Sequence, residues 1–237
     1  MPSTPRPWID HCTQAHRRLL NVVKNLTDGH ARRPSLLPDW TVGHLLTHLA
    51  RNADANSGMV EAAQRGDVAA MYPGGQAQRE ADIAAGCARP ARELVDDLTS
   101  ATERLESAWN STSEEVWATG LGRTFGGLRA IAFTVFMRWR EVEIHLADLG
   151  LHELGSPDWD GLSPAYVDVE WAEQSATLAR RLPEGTSVIL IPGDRPSRVF
   201  GAGERPIQIR ATPGRILQYL LGRGGAQPGW PPLTQWS

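Results

Sequence analysis

The stretch Leu128-Arg-Ala-Ile-Ala-Phe-Thr-Val-Phe-Met-Arg-Trp-Arg-Glu-Val-Glu-Ile-His-Leu-Ala-Asp-Leu-Gly150 carries the decisive pattern of the chain. Its apolar spacing predicts a helix from about Leu128 to Leu149, stopped by Gly150 as a C-terminal cap. At roughly 100° per residue, Thr134, Arg138, Glu141, His145 and Asp148 fall within roughly a quarter turn of one another. Phe136, Val142 and Ile144 flank or oppose them, and Glu143 points away as the expected solvent-side acid. A polar stripe on an apolar helix is costly when buried without partners. Glu141 and His145 are four apart, so both side chains can reach one ion. On this helix alone, an ordinary i,i+4 pair on a solvated face explains the stripe equally well.

A second stretch changes that balance. Thr41-Val-Gly-His-Leu-Leu-Thr-His-Leu-Ala50 sets His44 and His48 one turn apart among Val42, Leu45, Leu46 and Leu49. A lone histidine on an apolar helix is usually a hydrogen-bonded core residue. Histidines presented by two helices towards one bundle interior suggest a metal instead. One histidine with Glu-x-x-x-His makes three ligands, which leaves positions open for solvent or substrate, as catalysis requires.

Working outward, four helices are expected within about 150 residues: about Trp8 to Leu26, from near Thr41 (capped by Asp39 or Thr41) towards Arg65, about Pro90 to Trp109, and Leu128 to Leu149. That rhythm is a four-helix bundle. Residues 71–76 and the glycine-rich 120–127 read as connections. After Gly150 the character changes. A linker-like 155–161 precedes a helix from about Pro164 to Leu182. Ser187-Val-Ile-Leu-Ile reads as a buried strand, with shorter strands at 198–201 and 206–211 and a last helix opened by Thr212-Pro-Gly. The expected fold is α+β and mainly α, with a bundle over residues 1–152 and a small α/β domain over 153–237.

Composition sets limits on function. The 237 residues are 41% hydrophobic and 22% charged, with net charge −3. Those are globular values without the basic excess that nucleic acid or an anionic membrane would call for. Lys24 is the single lysine, a skew that fits a GC-rich coding bias better than a functional demand. Cys12 and Cys87 form no disulfide framework, the opening Met-Pro-Ser-Thr-Pro-Arg-Pro has no apolar signal region, and no run is long enough to span a bilayer. A reduced cytoplasmic protein is expected, with a monomer as the default state. The other histidines, His11, His16, His30 and His152, read as surface residues. The tryptophans in or beside helices read as packing, and Trp230 and Trp236 lie in a Pro-rich tail without a clear pattern.

The segments 40–49 and 138–150 together resemble the metal-bearing helices of DinB-like proteins. With the C-terminal α/β region they resemble the mycothiol-dependent maleylpyruvate isomerase family over nearly the whole chain. The resemblance implies a divalent metal, usually zinc, held by His48, Glu141 and His145. His48 is preferred to His44 because the family's histidine stands eight residues after Trp and is followed by Leu. A His–Glu–His set also admits nickel or iron. The implied thiol cosubstrate is mycothiol. Metal coordination would favour its thiolate, since a free thiol (pKa about 8.5) is mostly protonated at neutral pH. Addition to the double bond of maleylpyruvate, rotation and expulsion of the thiol would give fumarylpyruvate. An arginine from the C-terminal region is expected to face the substrate carboxylates. Ile216-Leu-Gln-Tyr-Leu-Leu-Gly-Arg-Gly points to Arg223, with Arg215 and Arg210 as rivals, while Arg138 is expected to serve in buried salt bridging. Two alternatives stand beside the isomerase: a mycothiol S-transferase, and a non-catalytic or hydrolytic DinB-like metal protein.

Overall fold

The structure, a computed structural model, describes residues 5–225 and 227–234. The chain divides into two compact units, Met1–Ser156 and Pro157–Ser237.

The first unit is built on four long helices: α1 (Arg6–Val23), α3 (Val42–Gln64), α5 (Ala91–Ser111) and α7 (Ile131–Asp148). α1 buries Ile9, Cys12, His16, Leu19 and Val23, a three-to-four spacing that gives one apolar face. α5 does the same through Leu94, Leu98, Ala101, Leu105 and Ala108. These faces close a bundle in which α1 meets α5 and α7, and α3 meets α5 and α7. α7 is covered on both sides, so nearly all of its residues from Thr134 onward are buried.

That double cover overturns the placing of Glu143 in solvent. Its side chain is buried, and Arg18 of α1 donates to both carboxylate oxygens at 3.2 Å. The expected start of the last bundle helix also moves. Residues 127–130 form a strand, β2 (Gly127–Ala130), paired antiparallel with β1 (Leu121–Thr124), so the glycine-rich connection is a hairpin. Three short helices fill the other connections: α2 (Asp28–Arg32), α4 (Gly75–Gly86) and α6 (Glu114–Thr119).

His16, expected at the surface, is buried. Its Nδ1 lies 2.7 Å from Glu106 Oε1, and its Nε2 accepts from Arg138 Nε at 3.1 Å. Both ring nitrogens are thus committed in the neutral form. Burial chiefly, with Arg138 adding to it, lowers its pKa to about 4 against the pull of Glu106. The folded value lies below the unfolded one, so this stability is present above pH 6.5 and is lost as pH falls towards 4. Between pH 7 and pH 5 the metal-free protein is expected to lose about 2 kcal/mol through His16 alone. Urea unfolding at the two pH values measures the loss. His16→Gln is expected to flatten the pH slope by that amount, and an unchanged slope would exclude the assignment.

The second unit begins with a 3₁₀ turn at Trp159–Gly161 and continues into α8 (Pro164–Arg181). Three strands follow: β3 (Ser187–Ile191), β4 (Arg198–Gly201) and β5 (Ile207–Arg210). β3 is central, antiparallel to β4 and parallel to β5. Thr212 caps α9 (Pro213–Leu220) by accepting from the Arg215 amide. Tyr166, Leu178, Val188, Leu190, Ile209, Ile216 and Leu217 form the core of this unit. The tail packs on the same unit: Tyr219 Oη donates to the Pro231 carbonyl and Trp230 stands edge-on to Tyr219. Trp236 lies outside the described residues. Among the described residues, no helix is long and apolar enough to cross a membrane.

Candidate metal centre

α3 and α7 meet where each carries ligand-type side chains. α3 is started by a capping box in which the Thr41 side chain accepts from the His44 amide and His44 Nδ1 accepts from the Thr41 amide. One turn on, His48 faces inward and is buried. His44 is therefore used at the helix start and is absent from the metal cluster. His30 plays the same capping part with Thr27 in α2, which accounts for a second histidine expected only at the surface.

His48, Glu141 and His145 converge, with one donor atom from each lying within 4.8 Å of the others. Glu141 Oε2 is the shared atom, 2.8 Å from His48 Nε2 and 3.2 Å from His145 Nε2. Asp148, the last stripe residue, lies 3.0 Å from His145 Nδ1. That contact holds the Nδ1–H tautomer when the ring is neutral and turns the Nε2 lone pair towards the cluster, as second partners of metal-binding histidines do. The Glu141 side chain keeps 34% of its surface exposed, while the His48 and His145 side chains beside it keep 3% and 8%.

The electrostatics follow from this packing. Burial lowers the His48 pKa to about 4, against the pull of Glu141. Its imidazole is thus held neutral, the form that ligates. Burial by itself would raise Glu141, but hydrogen bonds from His145 and His48 hold it well below the carboxylate range. Burial would lower His145, but Asp148 and Glu141 outweigh it and raise it. An ionised carboxylate between two imidazoles, backed by a further carboxylate, is a donor set that fits a divalent cation. Three protein donors leave coordination positions for other ligands.

Three residues around the cluster were not anticipated as part of it. Trp40, expected to serve in packing, is half-buried and stands edge-on to His48 at 5.6 Å. Arg79 of α4 places Nη2 3.2 Å from His48 Nδ1, and Tyr72 precedes α4 with its hydroxyl buried. Trp40 is visible in the sequence beside the His48 motif. Arg79 gives no such signal, because α4 buries only Ile83 and shows no apolar period.

Arg138 is fully buried, but it makes no salt bridge with a carboxylate among the described residues. It donates to the Leu49 carbonyl (2.8 Å), Asn52 Oδ1 (2.9 Å) and His16 Nε2. Arg210, Arg215 and Arg223 lie in the second unit. Arg223 follows α9, donates to the Leu221 carbonyl at 3.4 Å, and lines a cavity of about 490 Å³ with Arg181, Tyr219 and Trp230.

Two solved structures share this fold. One is a crystal structure of the mycothiol-dependent maleylpyruvate isomerase (TM-score 0.80), the other a variant of it with one histidine replaced by alanine (TM-score 0.79). Each is 23% identical, and each alignment covers 93% of this chain and 90% of that one. No curated protein sequence matches the chain. The sequence pattern of the family described as the mycothiol maleylpyruvate isomerase N-terminal domain matches residues 12–150, which include all three clustered donors. That match spans more than half of the chain, which therefore belongs to the mycothiol maleylpyruvate isomerase N-terminal domain family.

Proposed function

We propose that this chain is a mycothiol-dependent metalloenzyme that isomerises maleylpyruvate, or a closely similar cis-enoyl diacid, to the trans form. The observation that carries the reading is the convergence of His48, Glu141 and His145 in a member of this family. A divalent cation there, zinc in this reading, supplies a Lewis acid that favours the thiolate of an incoming thiol.

The remaining roles belong to the chain. His48 and His145 offer Nε2, and Glu141 offers the charge that offsets part of a dication. Asp148 fixes the His145 ring, and Trp40 stands edge-on to His48. Cys12 is buried, and burial pushes its thiol pKa up, so it does not supply the nucleophile. Cys87 lies outside the cluster, with its thiol directed to the Ala84 carbonyl. The reactive thiol therefore comes from a cosubstrate.

The test combines metal analysis of the purified protein with an assay on mycothiol and maleylpyruvate, following loss of enol absorbance. One metal per chain and turnover without net thiol consumption are expected. Metal-loaded protein that leaves maleylpyruvate unchanged would overturn the isomerase reading. Consumption of one thiol per product would identify an S-transferase in its place.

A further inference from the structure

Arg79 stands against the ligand cluster with no paired carboxylate among the described residues. Its Nη2 faces His48 Nδ1 at 3.2 Å, and its guanidinium carbon stands 5.8 Å from the centre of the Trp40 ring. Three other arginines of α3, α5 and the connection before α5 are paired with acids: Arg51 and Arg89 with Asp97, and Arg104 with Asp54.

Arg79's contact with His48 is conditional. The Nδ1 lone pair accepts from Arg79 only while the ring proton sits on Nε2. When Nε2 is committed to a cation, the proton moves to Nδ1 and Arg79 loses its acceptor. The Nη2 donor that faced His48 is then left without that acceptor.

Tyr72 adds an independent observation. It is 8% exposed, its ring stacks on Phe125 of the β1–β2 turn at 5.6 Å, and its buried hydroxyl lies beside the Arg79 guanidinium and donates to no acceptor. A buried donor left unmade is destabilising, so its retention calls for a reason. Burial chiefly pushes the phenol up to about 12, with Arg79 and Glu141 also acting on it, so it stays protonated beside the cluster. Phenol and guanidinium are both donors, and a carboxylate satisfies both.

We propose that Arg79 and Tyr72 form a carboxylate subsite beside His48, Glu141 and His145, within the first unit, that receives one carboxylate of the substrate. The substrate class rests on the reading of the chain as an enzyme acting on a diacid. Arg79 and Tyr72 are substrate-binding residues here, and neither holds the metal.

The experiment uses the full-length, metal-loaded protein as wild type, Arg79→Gln, Arg79→Lys and Tyr72→Phe. Three quantities are read: metal per chain, KM and kcat for maleylpyruvate, and calorimetric binding of succinate, an unreactive diacid whose binding needs no turnover. Arg79→Gln is expected to keep its metal, to weaken succinate roughly 10- to 100-fold and to raise KM by a similar factor, with kcat changed less. Arg79→Lys recovers part of the loss, since it keeps the charge and loses the fork. Tyr72→Phe weakens succinate several-fold yet melts no lower than wild type, because the buried hydroxyl it sheds donates to no acceptor. The subsite is refuted if wild type binds no succinate, if Arg79→Gln binds it equally well, or if Arg79→Gln loses the metal. Wild type that binds succinate through Arg79 but leaves maleylpyruvate unchanged would sink the isomerase reading and keep the subsite.

Discussion

Replacing Glu141 by glutamine is expected to lower divalent-metal affinity by more than about 100-fold and to remove thiol-dependent turnover. Even the loss of an outer partner of a metal-bound histidine costs roughly 10- to 100-fold. Glu141 is more than such a partner. Its Oε2 is the atom that both His48 and His145 approach, and it carries the charge at the centre of the cluster. Glutamine keeps the size and one carbonyl oxygen but offers an uncharged, weaker donor. It also presents an amide N–H₂ that repels the cation when turned inward. Asp148→Asn is the internal control. It touches only His145 Nδ1 within the cluster, so its expected loss stays in the 10- to 100-fold range. Chelator competition followed by metal analysis measures both, with circular dichroism as the check on folding. A full equivalent of tightly held metal in Glu141→Gln would refute the ligand assignment.

These donors were legible because their geometry is local. Glu141 and His145 share a helix at one-turn spacing, and His48 follows a tryptophan within a capped apolar helix. What helical phasing could not supply is the cover on each side of the helix. It set Glu143 at the right angle from Glu141, but only the packing of α1 shows that this side is also interior, where Arg18 waits. His16 was missed for a similar reason. Its partners, Glu106 and Arg138, lie 90 and 122 residues away in the chain, so no local pattern reveals them. His30 and His44 were visible as residues but not as caps, because the usual capping box carries Glu or Gln where these carry His. α4 escaped altogether. A twelve-residue helix that buries one side chain has no apolar period to read, yet it delivers Arg79 to the site. The hairpin 121–130 escaped through its glycines, which read as a loop before β1 and β2 are seen to pair.

Arg138→Ala is expected to destabilise the protein by about 3–5 kcal/mol, the largest stability effect of any change considered. A fully buried long side chain is removed, leaving a cavity. Asn52 Oδ1 is left with only the Asn56 amide at 3.3 Å, and His16 Nε2 with only the Cys12 thiol at 3.8 Å. Two of the arginine's donors bind α3, at the Leu49 carbonyl and Asn52, while Nε reaches α1, so one side chain ties three helices. An opposing effect limits the number. Arg138 is a buried cation without a paired carboxylate, and its Nη2 has no hydrogen-bond partner, so the wild type already bears a desolvation cost. Arg138→Met separates the two contributions: it fills most of the volume and discards the charge, and about 1–3 kcal/mol of loss is expected. The same variant tests why a costly group is kept. Leu49 directly follows His48, and Arg138 lies three residues before Glu141, so this guanidinium sets the spacing of the two ligand-bearing helices. Folded Arg138→Met is therefore expected to bind metal roughly 10- to 100-fold more weakly, measured well below its melting temperature. Wild-type metal affinity in a destabilised Arg138→Met would confine the arginine to packing. Weakened affinity would make it the residue that holds α3 and α7 in register for the metal.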